Sequence, residues 1–347
     1  MHHLHRLAGL VLASLLLLNG CGGGGGGGGE SPPPTIPTDP TTPPPSAVVS
    51  GSLWSSDSNI SNAQGTFVSD LVTGTSTKVD ADTEAMPSAD GSRLLRRDYT
   101  SDGSVGDETR ITVVRTTDGQ LVTDLTVEGY VGVLWPSPQA ANIVLTRWAP
   151  SINEPRGTVA YDIEQRKVLF STPASTRPDA VAWMPDGGLL RVKQSGEITK
   201  LALGGTEQAV RTLSWPDGRV LQAVYVSPDG GKALVQLAAL RETGSVSGVD
   251  LWMMNIDGSN LRRFTKNDLI TNAFWSPDSK FVAFTKDTGV TCTDATCQGS
   301  CTVWYAEASA SDVVAVAGSN DAKQFSVKRT HNASTTTLSC PVIAWTR

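Results

Sequence analysis

Histidine is almost absent from this chain. Of four histidines in 347 residues, His2, His3 and His5 lie at the N-terminus, so only His331 remains beyond it. A His-rich metal site is therefore excluded, and a Ser-His-Asp hydrolase would have His331 as its single base. His331 lies in a polar segment that predicts an exposed loop, and no Gly-x-Ser-x-Gly nucleophile turn occurs. We expect no catalytic residue, no metal and no cofactor.

An excess of positive charge is also lacking. The chain has 28 Lys plus Arg against 34 Asp plus Glu, which gives a formal net charge of -6. No basic stripe follows any part of the sequence, so we expect no nucleic-acid partner. We expect a monomer.

Long apolar runs are absent too. The one clear run, residues 7–18, follows Arg6 and is too short to span a bilayer, which is typical of an export signal. It ends in Leu18-Asn19-Gly20-Cys21, which resembles the bacterial lipoprotein processing box. Residues 1–20 are predicted to be a lipoprotein signal peptide, with Cys21 as the lipid attachment site and membrane anchor. The alternative is a general signal peptide that happens to end near a cysteine.

Two regions follow the predicted signal. Residues 21–46 combine a glycine run with a Pro- and Thr-rich segment, a composition that cannot form a packed core and predicts a disordered tether. Residues 47–347 are predicted to form the folded domain. Gly22 follows Cys21, and the absence of Asp there favours the outer membrane. We therefore expect the domain in the periplasm or at the cell surface.

A turn motif recurs five times in the folded domain, about every 43 to 49 residues. Each copy varies Ser-Pro-Asp-Gly and follows a short apolar strand. Proline presets φ, aspartate bonds to nearby backbone N–H groups, and glycine accepts positive φ, so the motif predicts a tight hairpin. We assign a structural role to its residues Asp90, Gly91, Pro138, Pro185, Asp186, Gly187, Pro228, Asp229, Gly230, Pro277 and Asp278.

This period is typical of four-stranded propeller blades. Residues 48–54, 66–72 and 76–79 read as three strands without a preceding motif, and residues 340–345 read as the first strand of a blade. If the last strand joins the first three, five internal blades and one shared blade result. The sequence therefore predicts an all-β, six-bladed β-propeller of four-stranded antiparallel blades, closed by pairing of its N- and C-terminal strands.

Two segments carry a family resemblance. Residues 274–284 read Phe-Trp-Ser-Pro-Asp-Ser-Lys-Phe-Val-Ala-Phe, and residues 255–263 read Asn-Ile-Asp-Gly-Ser-Asn-Leu-Arg-Arg. This pattern resembles the propeller repeats of the TolB family over about residues 48–347. The resemblance implies a six-bladed propeller and a place in the cell envelope. The same repeat type occurs in prolyl-oligopeptidase-like enzymes and oligogalacturonide lyases, so the activity stays open.

Cysteine use agrees with export. Besides Cys21, the chain has Cys292, Cys297, Cys301 and Cys340, an even number for an oxidising compartment. We predict disulfides, preferring Cys301 with Cys340 and Cys292 with Cys297. Exchange of Cys292 for Cys301 stays open as an alternative.

Tryptophans form two series. Trp135, Trp183, Trp275 and Trp345 recur at one blade position, and Trp252 and Trp304 recur at another, which predicts packing between adjacent blades. Trp148 and Trp215 fall outside the recurring positions, so we expect them to be exposed aromatics of a binding surface.

These observations favour a noncatalytic function. We interpret the chain as a lipid-anchored envelope scaffold that binds a protein, peptide or glycan through a propeller face or the channel. The alternative is an envelope hydrolase or lyase that uses carboxylates in the channel.

Overall fold

The computed structural model describes residues 48–57, 64–81, 85–101, 107–266, 269–293, 296–329, 335–338 and 342–347. The predicted signal, Cys21, the whole predicted tether and His331 lie outside these residues. All described strands belong to the compact unit Ala47–Arg347. No helix in the described ranges is long and apolar enough to cross a membrane.

The described elements are almost all strands. The first twelve are β1 (Ser52–Asp57), β2 (Gly65–Asp70), β3 (Thr75–Asp80), β4 (Met86–Pro87), β5 (Arg93–Ser101), β6 (Asp107–Arg115), β7 (Leu121–Glu128), β8 (Tyr130–Val131), β9 (Trp135–Pro136), β10 (Ile143–Ala149), β11 (Gly157–Asp162) and β12 (Lys167–Ser171). The next eight are β13 (Ala180–Trp183), β14 (Leu189–Val192), β15 (Glu197–Leu201), β16 (Glu207–Thr212), β17 (Val220–Val226), β18 (Lys232–Leu240), β19 (Val246–Asn255) and β20 (Arg262–Arg263), with a short 3-10 helix, Pro216–Gly218, before β17. The last seven are β21 (Ile270–Trp275), β22 (Phe281–Thr293), β23 (Thr296–Glu307), β24 (Lys323–Gln324), β25 (Ser326–Arg329), β26 (Thr335–Thr337) and β27 (Val342–Thr346).

Six sheets result, and each is one blade. Blade 1 combines β27 with β1, β2, β3 and the added pair β25 and β26. Blades 2, 4, 5 and 6 are β4–β7, β13–β16, β17–β20 and β21–β24, and blade 3 is β8–β12. The predicted all-β, six-bladed propeller is therefore confirmed.

Ring closure follows the predicted pairing. β27 runs antiparallel to β1, with Leu53 opposite Trp345 and Trp54 opposite Ala344. The Trp54 indole Nε1 donates to Thr346 Oγ1 at 2.9 Å across the same pair of strands. The two ends of the propeller domain thus share one sheet, which leaves no open seam between the first and last blades.

Two details depart from the prediction of four regular strands per blade. In blade 1, β25 pairs in parallel with β3, and β26 extends the sheet further. In blade 3, the innermost strand is interrupted, because β8 and β9 pair with β10 at different points. The turn motif does not mark either departure, which explains why the repeat pattern missed both.

The core lies between blades. One buried cluster joins Leu234 and Met253 of blade 5 to Phe284 and Trp304 of blade 6. A second cluster joins Leu53 of blade 1 to Phe281 of blade 6. Each blade therefore buries its apolar faces only against its neighbours, so the stability of any blade depends on a closed ring.

The serine of the turn motif explains how each hairpin is held. The buried Ser227 hydroxyl donates to Asp229 Oδ1 at 2.6 Å and accepts from the Lys232 N–H at 2.9 Å. Ser88 and Ser276 make the corresponding bonds in their own turns. The hydroxyl thus ties the turn to the second strand, a role that the sequence interpretation gave only to Pro, Asp and Gly.

Glycine in the motif serves its predicted role. Gly91, Gly187 and Gly230 have φ of 70°, 84° and 70°, in the left-handed region. In the last copy, Ser279 takes this position with φ of 59°. The motif therefore sets backbone geometry, and the structural assignment of its residues agrees with these conformations.

We expect Ser227→Ala to lower the free energy of unfolding by about 1–3 kcal/mol, because the buried Lys232 N–H loses its acceptor. Urea denaturation of the purified protein measures this effect. Ser195→Ala is the control, since Ser195 is exposed, and it should change the free energy by less than about 0.5 kcal/mol. Equal stability of the two variants would contradict the role of the hydroxyl.

Candidate functional site

The two ends of the ring differ in their contacts. The end that carries the Ser-Pro-Asp-Gly turns is called the turn end. There, Gln139 Nε2 donates to Pro185 O at 2.6 Å, and Trp183 Nε1 donates to Trp135 O at 2.8 Å. Trp275 Nε1 likewise donates to Tyr225 O of the preceding blade at 3.1 Å. Side chains at the turn end therefore serve largely to connect successive blades.

The opposite end carries a cluster of arginine and tyrosine side chains, and we call it the arginine end. The rings of Tyr99 and Tyr130 meet edge to face at 5.2 Å. The Arg156 guanidinium lies 4.5 Å from the Tyr130 ring centre, and that of Arg97 lies 5.8 Å from it. All four side chains are partly exposed. Cations and aromatic rings thus share one accessible surface.

A single blade position supplies Arg97, Arg147 and Gln236. In each blade, the last residue of the inner strand pairs with a residue of the second strand. The side chain in question lies three residues after that paired residue. Arg97 donates to Val131 O at 2.8 Å, and Gln236 donates to Ile270 O at 2.7 Å. In blades 2 and 5, this position therefore binds the inner strand of the next blade.

Arg147 in blade 3 behaves differently. Its Nη2 donates to Gln222 O at 3.2 Å, on the inner strand of blade 5. Blade 4 lies between these two blades, so the Arg147 side chain passes the inner strand of blade 4 and reaches into the channel.

Burial lowers the pKa of Arg147, and nearby Arg156 lowers it further, while Tyr225 acts in the opposite direction. Burial raises the pKa of Tyr225 to about 12, although the Ala273 backbone and Arg147 oppose that shift. Arg147 remains charged because its ordinary pKa is far above neutrality. Arg147 is therefore a half-buried cation near the buried Tyr225 phenol.

Arg93, Arg96, Arg191 and Arg263 are half-buried and each has a carboxylate partner, whereas the half-buried Arg219 and Arg262 form no ion pair with a described residue. Arg96 Nη2 lies 2.6 Å from Asp80 Oδ2, and Arg191 Nη2 lies 2.6 Å from Asp179 Oδ2. Among the described residues, Arg147 and Arg156 have no such ion pair. Their charges are thus balanced only by carbonyl oxygens and aromatic rings.

An apolar cavity of about 290 Å³ lies between blades 2 and 3. Val127 and Val131 line it together with Val144, Trp148 and Tyr161. Trp148 is fixed there because its Nε1 donates to Glu128 O at 2.8 Å. The cavity adjoins the arginine end, since Val131 accepts from Arg97 and Trp148 follows Arg147 in the chain.

The exposure expected for Trp148 and Trp215 is wrong. Both are half-buried, and Trp215 Nε1 donates to Gln194 O at 3.0 Å. Trp135, which we expected to pack between blades, is instead 39% exposed at the turn end. Trp135 lies two residues before the first residue of its turn motif, whereas Trp183 and Trp275 lie one residue before theirs. Because side chains alternate along a strand, the Trp135 ring points to the opposite side.

Cysteine geometry is described only in part. Cys292 and Cys297 lie opposite each other in the β22–β23 hairpin. Cys301 is disulfide-bonded, but the side chains of all other cysteines lie outside the described set. The two predicted pairings, and the alternative that exchanges Cys292 for Cys301, therefore stay predictions.

The candidate site was missed by the sequence interpretation. Arg97, Arg147 and Arg156 belong to no motif in the sequence, and the sequence analysis gives them no role. Position in the repeat could have aligned Arg97 with Arg147, but only after the strand register was known. In the described part of the chain, no group of three or more His, Cys, Asp or Glu side chains could hold a metal ion.

Comparison with known proteins gives no family. No family model matches the chain, and no curated protein matches it. Among solved structures, a protein titled as TolB from Agrobacterium tumefaciens aligns with a TM-score of 0.43 and 14% identity, over 85% of this chain and 100% of that one. A GH74 enzyme of Niastella koreensis aligns with a TM-score of 0.47 and 14% identity, over 80% of this chain but only 46% of the enzyme.

Hydrazine synthase of Kuenenia stuttgartiensis aligns with a TM-score of 0.42 and 16% identity, over 70% of this chain and 68% of that one. Low TM-scores and identities give these similarities no weight in assigning an activity. The six-bladed architecture rests on the strand pairing of the chain itself.

We expect Trp135→Phe to lower the fraction of fluorescence that acrylamide quenches in the native protein by more than Trp148→Phe does. The reason is exposure, because Trp135 is accessible at the turn end and Trp148 lines a cavity. Steady-state quenching of both variants and of the parent protein measures the difference. A larger loss for Trp148→Phe would contradict this assignment of exposure.

Proposed function

We propose that this protein is a noncatalytic binding module of the bacterial cell envelope, and that it engages its partner through the arginine end. The observation that carries this proposal is the cluster of Arg97, Tyr99, Tyr130 and Arg156. Arginine and tyrosine are enriched among the residues that contribute most to binding at protein interfaces. The cluster is partly exposed, whereas side chains at the turn end connect blades.

Location of the module follows from the predicted lipoprotein box. A lipid on Cys21 and a tether over residues 21–46 would hold the propeller away from the membrane surface and leave its ends accessible. We therefore place the protein at the outer membrane, with the domain in the periplasm or at the cell surface. The partner is a protein, peptide or glycan of the envelope.

Buried carboxylates do not favour the alternative of a hydrolase or lyase. Asp80 pairs with Arg96, Asp162 accepts from Asn142 Nδ2 at 3.2 Å, and Asp250 accepts from Thr265 Oγ1 at 2.9 Å. These three carboxylates belong to separate blades, and each supports local structure. No specific observation therefore favours an enzyme over a binding module.

Photo-crosslinking tests the proposal. A photoreactive phenylalanine analogue replaces Glu154, an exposed residue of the loop between β10 and β11 at the arginine end. The control replaces Gln165, exposed in the turn between β11 and β12 at the other end of the same blade. We expect illumination of living cells to give a discrete adduct from position 154 and none from position 165.

Tyr130→Ala, added to the protein that carries the photoreactive residue at position 154, should reduce the adduct several-fold, because Tyr130 contacts both Arg97 and Arg156. Mass spectrometry of the adduct then identifies the partner class. Equal labelling at the two positions, or an adduct that persists unchanged without Tyr130, would count against binding through the arginine end.

A further inference from the structure

Arg147 differs from the polar side chains at the equivalent position of blades 2 and 5. At the equivalent position, Arg97 and Gln236 each bond to the inner strand of the next blade. Arg147 bypasses blade 4 and contacts Gln222 O of blade 5 instead. A purely structural side chain at this position would have the inner strand of blade 4 within reach, as its counterparts do. The position of Arg147 therefore requires another explanation.

The hydrogen bonds of Arg147 leave most of its donors unused. A guanidinium has five N–H groups in a planar fork. Among the described residues, Gln222 O is the one acceptor for them, and no carboxylate forms an ion pair with the group. Arg156, the nearby cation, uses Nη2 for Ile152 O at 3.3 Å and lies on the Tyr130 ring. In the β10–β11 register Arg147 lies opposite Thr158, and Arg156 precedes Thr158 by two residues, so the two cations lie on one face of blade 3.

Such an arrangement is costly unless an anion completes it. A partly buried charge normally has a paired counterion, and repulsion between neighbouring cations adds to the desolvation cost. Arg96 and Arg191 in adjacent blades have carboxylate partners, whereas Arg147 has none among the described residues. The missing negative charge at Arg147 is therefore better supplied by a ligand.

We infer that Arg147 and Arg156 form a carboxylate-binding site at the mouth of the channel, and that it receives an acidic side chain of a bound peptide. Arginine binds a carboxylate through two parallel N–H bonds, which suits the unused edge of Arg147. Tyr99 and Tyr130 provide the neighbouring aromatic surface for the rest of the peptide. The carboxylate-binding site is argued from Arg147 and Arg156 alone. The claim that the peptide belongs to an envelope partner rests on the proposed function.

Calorimetric titration of the full-length protein, purified in detergent, tests this inference. The probes are the capped tripeptide acetyl-Glu-Glu-Glu-amide, its uncharged counterpart acetyl-Gln-Gln-Gln-amide, and glucuronate as an acidic sugar, all at one ionic strength. We expect saturable binding of the Glu peptide and at least tenfold weaker binding of the Gln peptide, because the carboxylate supplies the charge-assisted bonds.

Three variants give the matched comparison. Arg147→Gln should weaken Glu-peptide binding about tenfold or more, and Arg156→Gln several-fold. Arg110→Gln is the control, since Arg110 is exposed and forms an ion pair with Asp124, and it should leave binding unchanged. Thermal unfolding confirms that each variant is folded, and Arg156→Gln keeps the test decisive if Arg147→Gln does not fold.

Absence of saturable Glu-peptide binding to the folded parent protein would overturn the inference. So would equal affinity of the parent and Arg147→Gln, and tighter binding of glucuronate would overturn the assignment to a peptide. The crosslinking experiment reports separately on the proposed function. If the peptide binds but position 154 gives no adduct, the carboxylate-binding site is supported, and the proposal that an envelope partner binds at the arginine end is contradicted.

Discussion

Pairing of β27 with β1 is the interaction on which the other contacts depend. No blade contains a core of its own, because the buried clusters join residues of neighbouring blades. Opening one seam would expose two apolar faces at once and leave two sheet edges unpaired. The register that sets Leu53 opposite Trp345 therefore stabilises sheets that lie far from it in the ring. The arginine end exists as a surface only because the ring is closed.

The two ends of the propeller carry different constraints. At the turn end, a buried serine hydroxyl, a left-handed backbone position and indole N–H groups all serve the hairpins or the contact between blades. A substitution there changes the fold before it changes any partner. The second and third strands meet at the other end through connections that follow no repeated motif. Side chains at that end can therefore diverge between blades, which is what Arg97, Arg147 and Gln236 show.

Sequence patterns predicted the architecture because its cause is local and repeated. Pro, Asp and Gly occur where the backbone needs them, and strand periodicity identifies the partner of the last strand. Exposure of Trp135 was not predictable in this way, since a shift of one residue relative to Trp183 changes the direction of its ring. The arginine end was missed for a similar reason. Arg97 and Arg147 lie on β5 and β10, and Arg156 lies in the connection before β11, so only the tertiary arrangement of the blades brings them together.

Blade 3 concentrates the departures from the repeat. Its inner strand is interrupted between β8 and β9, where a side chain on Gly132 would approach Arg147 O to 3.2 Å. Beside this interruption lie the apolar cavity and the arginine that contacts blade 5. The interrupted inner strand, the cavity and the long reach of Arg147 therefore occur together in the blade where the repeat is least regular.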